Sequence, residues 1–135
     1  MGLVAATAVL GACGNSDTPQ GPTPTAQRVV EVFTGRITPG GSGFYSFQVR
    51  ASETASYTFA SLTQLTTGRA LDTVLMLGVG VPAGEDCVVS NSALAAPGLG
   101  PQLSASISPG IYCVRLSDPG TLTTTANFAV RIQHP

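Results

Sequence analysis

The chain contains no lysine and no tryptophan, a single histidine, and few charged residues of either sign. Charged side chains make up 10% of its 135 residues, and the formal net charge is −1. The six cations are scattered arginines, whereas phosphate backbones are bound by clustered cations. Without lysine there is neither a Schiff-base nucleophile nor a P-loop lysine. These absences exclude nucleic acid as a partner and lysine-based chemistry as a function.

Catalytic side chains are also scarce. The only histidine, His134, stands one residue from the end of the sequence, where we expect fraying and nothing to orient the ring. A zinc site would need three or four clustered His, Cys or acidic ligands. The adjacent acids Glu85 and Asp86 would face opposite ways in a strand or lie exposed in a turn. We therefore expect no enzymatic activity and no cofactor.

The first residues have the pattern of a bacterial export signal. Residues 2–12 are uncharged, small and apolar, a run too short for a membrane-spanning helix of about 20 residues. The run ends Leu10-Gly11-Ala12-Cys13, which resembles a lipobox, the motif whose cysteine receives a diacylglyceryl group. The resemblance implies that residues 1–12 are removed and that Cys13 anchors the chain in a membrane, with Gly14 favouring the outer membrane. An ordinary signal peptide and an apolar N-terminal strand remain alternatives.

A spacer is predicted to follow the anchor, over residues 13–28. Its central part, NSDTPQGPTPTAQ, is rich in proline and threonine and cannot form a core. Extended geometry would hold the following domain up to about 40 Å from the anchor. The alternative is a disordered terminus without a role. The folded domain is expected to occupy residues 29–135.

Alternation of apolar and polar residues with a period of two predicts an all-β domain. It places strands over 29–37, 44–50, 54–62, 72–80, 85–90, 103–107, 111–117 and 124–133. Turn signals such as Pro39-Gly40 and Pro109-Gly110 separate them. Eight short strands with this spacing are typical of an antiparallel sandwich or barrel. The aromatic residues in the inward phase are expected in the core: Tyr45, Phe47, Tyr57, Phe59, Tyr112 and Phe128.

The three cysteines indicate one lipid attachment and one disulfide. If Cys13 carries the lipid, Cys87 and Cys113 remain as a pair, both in predicted strands. A bond between them would close a loop of about 25 residues and add about 3 kcal/mol of stability on the chain-entropy model. It would also place the domain in an oxidising compartment. The alternative is two buried thiols that act as small hydrophobic residues.

Two residues are candidates for binding. Phe44 is out of phase with the inward aromatic residues and follows a glycine-rich turn, so its ring could be an exposed contact. Asp72 opens an apolar strand and could ligate calcium, although such an aspartate more often hydrogen-bonds to a turn backbone.

Four motifs in order resemble the bacterial pre-peptidase C-terminal domain. They are FYSFQV at 44–49, DTVLML at 72–77, PGIYCVRL at 109–116 and FAVRI at 128–132, and the likeness spans residues 29–134. The resemblance implies a jelly-roll-like sandwich of two sheets that accompanies secreted proteins as a binding or maturation module. Some members of the family bind calcium or collagen through clustered acidic residues, whereas the acids of this chain are dispersed.

These expectations combine into one predicted function. The chain is expected to be a non-catalytic exported lipoprotein of the cell envelope, at the outer membrane or cell surface. Its sandwich would bind an unidentified envelope protein or polymer, and its lipid anchor would hold it to the membrane. The alternative is a calcium-dependent domain for polysaccharide or collagen-type ligands.

Overall fold

The computed structural model describes residues 28–135, which form eight β-strands. The strands are β1 (Val29–Ile37), β2 (Ser42–Val49), β3 (Glu53–Gln64), β4 (Leu75–Ala83), β5 (Asp86–Ala95), β6 (Leu103–Ile107), β7 (Gly110–Ser117) and β8 (Ala126–His134). No helix in this range is long and apolar enough to cross a membrane. The all-β prediction is confirmed. Cys13, the predicted signal and most of the predicted spacer lie outside the described residues.

The strands form two antiparallel sheets of four strands each. Sheet A has the order β1-β8-β3-β6, and sheet B has the order β2-β7-β4-β5. Consecutive strands alternate between the sheets except within the β4–β5 hairpin, and every pairing is antiparallel. This is the strand order of a jelly roll, so the predicted jelly-roll-like sandwich is confirmed.

The largest differences from the predicted strand boundaries are in β4 and β5. β4 begins at Leu75, three residues later than expected, and β5 continues to Ala95, five residues beyond its expected end at Ser90. Residues 91–95 are mixed in character, but they pair with β4 through Leu77↔Ala93 and Leu75↔Ala95. The pairing with an apolar neighbouring strand forms this segment of β5, because strand propensity depends strongly on the partner.

The core lies between the two sheets and contains the aromatic residues predicted to face inward. Four of them are buried, and Tyr45 and Tyr112 pack partly buried at its margin. The rings of Phe47 and Tyr57 lie 6.0 Å apart between their centroids, so an aromatic contact bridges β2 of sheet B and β3 of sheet A. Phe33 and Phe128 make a second, edge-to-face contact at 4.9 Å within sheet A. Such contacts add to the stabilisation that burial of the apolar surface provides.

The β4–β5 hairpin depends on glycines that allow close approach of its strands. Its register shifts between Val79 and Gly80, where β5 contains an extra residue. A Cβ atom at Gly80 would overlap the carbonyl oxygen of Val88, and one at Gly78 would lie 2.7 Å from Cγ1 of Val89. Because neither glycine has a side chain, β5 bulges close against β4, as bulges with a tight backbone approach require.

Candidate functional site

The predicted disulfide is present and joins two strands of sheet B. Cys87 on β5 and Cys113 on β7 are bonded, with their Cα atoms 5.9 Å apart. β4 lies between these strands in the sheet, and its Gly80 is the register partner of Cys113. The bond therefore fastens the edge strand β5 across β4 to β7, and both cysteines are buried.

Phe44 lies on the outward face of sheet B and is 36% exposed, as the sequence predicts. Its register partner on β7 is Arg115, whose Nη2 donates to Oγ of Ser42 at 3.3 Å and whose Nη1 lies 3.9 Å from Asp86. By strand alternation, no other aromatic side chain of the described strands shares this face. A single exposed ring is common on protein surfaces and does not by itself form a binding platform.

The acidic residues remain dispersed in the folded chain. Asp72 is exposed ahead of β4, and Glu85 and Asp86 are exposed at the tip of the β4–β5 hairpin, as expected of a turn. Between residues 28 and 135 no group of three or more His, Cys, Asp or Glu side chains could hold a metal ion. A calcium-binding role for Asp72 therefore stays a prediction that depends on one carboxylate.

Asp118 holds the turn between β1 and β2 against the loop that precedes β8. Its Oδ2 accepts from the backbone N–H of Gly40 at 2.7 Å, and its Oδ1 accepts from those of Gly120, Thr121 and Leu122 at 2.9–3.1 Å. Burial raises the pKa of Asp118, but the backbone hydrogen bonds outweigh it and lower the pKa to about 2. Both carboxylate oxygens are thus occupied by the chain itself.

The expected fraying of His134 is wrong. His134 is the last residue of β8 and is buried, with Nε2 2.6 Å from Oε2 of Glu31 and Nδ1 2.8 Å from the carbonyl oxygen of Pro135. Its ring lies 5.1 Å from that of Phe47. Pairing of β8 with β1 places His134 opposite Val29 and therefore close to Glu31. This contact could not be predicted from the sequence, because the two residues are far apart along the chain.

Glu31 also accepts a hydrogen bond from the Tyr45 hydroxyl at 2.7 Å. That hydrogen bond, then burial and the charge of Glu31, raise the pKa of Tyr45.

A histidine that acts as a general base presents one ring nitrogen to a nucleophile while the other is held by an orienting group. Both ring nitrogens of His134 face oxygen atoms that belong to no serine, threonine or cysteine side chain. The cluster therefore fits a structural connection between β1, β2 and β8.

A concave surface lies on the outward face of sheet A. Because side chains alternate along a strand, this face consists of every second residue of β1, β3, β6 and β8. These outward residues are Val30, Val32, Thr34, Arg36, Thr54, Ser56, Thr58, Ser61, Thr63, Ser104, Ser106, Asn127, Ala129, Arg131 and Gln133. Hydroxyl and amide groups dominate, Arg36 and Arg131 are its charged residues, and it includes no acidic residue.

A depression of about 480 Å³ lies at one end of this face, and we refer to it as the sheet A depression. Ala129 of β8 is paired with Thr34 of β1 and Ser61 of β3, and its small side chain leaves the centre of this row low. In the adjacent row, Asn127 is paired with Arg36 and Thr63. The lining is completed by Gly35 and Phe128, whose ring is buried in the core.

A bulge in β3 positions the side of the depression that this strand contributes. The pairing of β3 with β8 shifts between Phe59 and Ser61, so that Ala60 is the extra residue. Beyond the bulge, Ser61 and Thr63 face outward while Leu62 remains in the core. Bulges of this kind bend a strand and redirect the side chains that follow.

Arg36 is the charged residue of the depression. Three ion pairs occur in the region of the chain that the structure describes: Arg28–Glu53, Arg115–Asp86 and His134–Glu31. Arg36 is exposed and belongs to none of them. None of the residues of this depression could be recognised from the sequence as a binding candidate, because they come from three distant segments. The only local signal was the small outward Ala129 between the polar outward residues Asn127 and Arg131 of β8.

The strand order and the two-sheet core define the domain as a jelly-roll β-sandwich. The crystal structure of the Yersinia pseudotuberculosis-derived mitogen (YPM) is similar, with a TM-score of 0.50 and 9% sequence identity over 81% of this chain and 88% of that chain. At this identity the likeness concerns the fold alone. No protein-family model matches the chain, and no curated protein sequence matches it. The resemblance to the pre-peptidase C-terminal domain therefore stays a prediction.

Proposed function

We propose that the chain is a non-catalytic exported lipoprotein whose jelly-roll domain binds a component of the cell envelope through the sheet A depression. The observation that carries the proposal is the depression itself: a concavity lined by hydroxyl, amide and guanidinium side chains that three hydrogen-bonded strands provide. Side chains on strands hold a binding geometry more rigidly than side chains on loops. The depression needs no movement of the chain to receive a ligand.

Two features support export and anchoring. The Cys87–Cys113 disulfide is consistent with an oxidising compartment outside the cytoplasm. The sequence Leu10-Gly11-Ala12-Cys13 resembles a lipobox, and the proline- and threonine-rich spacer would hold the domain away from the membrane. The jelly-roll order also agrees with the fold that the resemblance to the pre-peptidase C-terminal domain implies.

The anchor is tested by the intact mass of the protein isolated without reductant from the cells that produce it. We expect the mass of residues 13–135 with acyl groups added and two hydrogens removed for the disulfide. A mass that retains residues 1–12, or that lacks acyl groups, would contradict the lipoprotein assignment. It would leave the binding role to be tested separately.

Binding is tested with a Cys13→Ser chain, which removes the contribution of the lipid to envelope retention. The probe is the detergent-insoluble envelope fraction of the producing cells, and the bound fraction of the chain is measured after sedimentation. We expect binding that is lost when Ala129→Arg fills the depression. The matched control, Ser104→Arg, adds the same side chain at an exposed position of β6 on the same sheet face. Equal binding by both arginine variants, or no binding by the parent chain, would refute the proposal.

A further inference from the structure

We infer that the sheet A depression binds a saccharide unit that carries a carboxylate, with the Arg36 guanidinium paired to that carboxylate. This inference rests on the proposed binding function and specifies its ligand. It is carried by two properties of the depression: a cation that forms no ion pair with residues 28–135, and hydroxyl and amide groups that make no hydrogen bond within this range.

The charge of the depression favours an anionic group. Arg36 forms no ion pair with any residue between 28 and 135, and the outward face of sheet A contains no aspartate or glutamate. The planar guanidinium matches a carboxylate through two parallel hydrogen bonds. The other cation of this face, Arg131, lies four residues from Asn127 along β8, or about 14 Å away at the rise of a strand. The depression therefore presents one positive charge to one anionic group.

The neutral groups around Arg36 suit a polyhydroxylated ligand. The side chains of Thr34, Ser61, Thr63 and Asn127 make no hydrogen bond to other side chains or backbone groups of the described chain. Each hydroxyl can donate and accept, and the Asn127 amide does both at separate atoms. Sugar hydroxyls require this mixture of donors and acceptors in close proximity. A volume of about 480 Å³ lies within the range of small-molecule sites.

Other ligand classes fit less well. Drug-sized and cofactor ligands occupy sites that are lined mainly by hydrophobic and aromatic side chains, whereas five of the eight residues that line this depression carry a hydroxyl, amide or guanidinium group. Polyphosphates and nucleic acids need several clustered cations. The ring of Phe128 is buried beneath the depression, so a sugar would be held by hydrogen bonds and by Arg36 without stacking on an aromatic face. Affinity for one unit would be low, and a repeating polymer near the tethered domain would compensate through effective concentration.

The test is an amide chemical-shift titration of the full chain with Cys13→Ser. The probes are a galacturonate trisaccharide, the neutral galactose trisaccharide and inorganic phosphate. We expect the galacturonate to shift amides at 34–36, 61–63 and 127–129. Arg36→Gln should weaken its binding about five- to tenfold, to the level of the neutral trisaccharide. Arg131→Gln, the matched control on the same face, should leave the affinity unchanged, and melting temperatures should show that both variants fold.

The inference would be overturned by equal affinity for the acidic and neutral trisaccharides, by equal weakening through Arg36→Gln and Arg131→Gln, or by chemical-shift changes centred elsewhere. Phosphate that binds as tightly as galacturonate would show a general anion site and would also overturn it. Failure of the inference is distinguishable from failure of the proposed function. In the first case Ala129→Arg still abolishes retention by the envelope fraction, and in the second it does not.

Discussion

Two buried polar side chains, Asp118 and Tyr57, differ in how their oxygen atoms are satisfied. The Asp118 carboxylate accepts four hydrogen bonds from backbone N–H groups of two separate turns. The Tyr57 hydroxyl is fully buried and has no hydrogen-bond partner in the described region of the chain. Burial, followed by the nearby Tyr112 hydroxyl, raises the pKa of Tyr57 to about 12. One side chain therefore stabilises the fold through its polar atoms, and the other does so only through its ring.

Tyr57→Phe should leave the free energy of unfolding unchanged or raise it by up to about 1 kcal/mol. The substitution removes a hydroxyl that loses its hydration on folding and gains no partner, while the packed ring remains. Tyr45→Phe is the matched control: it removes a hydroxyl that donates to Glu31 at 2.7 Å and should cost about 1 kcal/mol. Urea unfolding of both variants measures the difference. A loss at Tyr57 as large as that at Tyr45 would show that the Tyr57 hydroxyl is hydrogen-bonded in solution.

Asp118→Asn should lower the free energy of unfolding by about 2 kcal/mol at neutral pH, because the amide offers one acceptor oxygen in place of two charged ones. The pKa of Asp118 is about 2 in the folded chain, against an ordinary value of 3.8. Its stabilising effect is therefore fully present above pH 4 and is lost as the pH falls through about 2. Unfolding curves of both proteins at several pH values should converge across this range. A difference that stays constant down to pH 2 would contradict the role of the charge.

At the scale of single elements, the β4–β5 hairpin shows how missing side chains shape a strand pair. Gly80→Ala should lower the free energy of unfolding by about 2 kcal/mol or more, because the new Cβ would overlap the Val88 carbonyl oxygen. The bulge must then open, and β5, which carries Cys87, must move away from β4. Gly100→Ala is the control: no atom lies within 4 Å of its Cβ position. It should be neutral or slightly stabilising, since alanine restricts the unfolded chain. Thermal unfolding that ranks the two variants equally would refute this account of the bulge.

The strands also show where sequence patterns suffice and where they do not. Both ends of β1 and β6 could be predicted from the sequence, because apolar and polar residues alternate clearly in them and turn residues follow each strand. The second half of β5 could not, since serine, asparagine and alanine there are as common in loops. Its strand structure depends on pairing with Leu75 and Leu77 of β4. The bulges at Ala60 and Ser90 could not be predicted from the sequence either, because each depends on the register of its strand with a distant partner strand.

At the scale of the whole molecule, the jelly-roll order brings together groups that the sequence separates. The walls of the sheet A depression come from residues 34–36, 61–63 and 127–129, which become neighbours because β8 lies between β1 and β3. The contact of Glu31 with His134 has the same origin. The class of fold and the disulfide could be predicted from local patterns and a count of cysteines. The sheet A depression could not, because it depends on the order of strands within a sheet.

The pairing of β1 with β8 also predicts how the domain would carry a mechanical load. Arg28 precedes the first residue of β1, and Thr34 and Arg36, which line the depression, lie near the other end of the same strand. If the domain is tethered through its first strand and holds a ligand in the sheet A depression, as proposed above, a pull between the tether and the ligand would act along the strand axis. All nine register pairs of β1 with β8 then share the load in shear, whereas in a zipper geometry they would break in sequence. Because His134 contacts Glu31 at the loaded end, we expect the first strand to be the mechanical clamp of the domain under such a load.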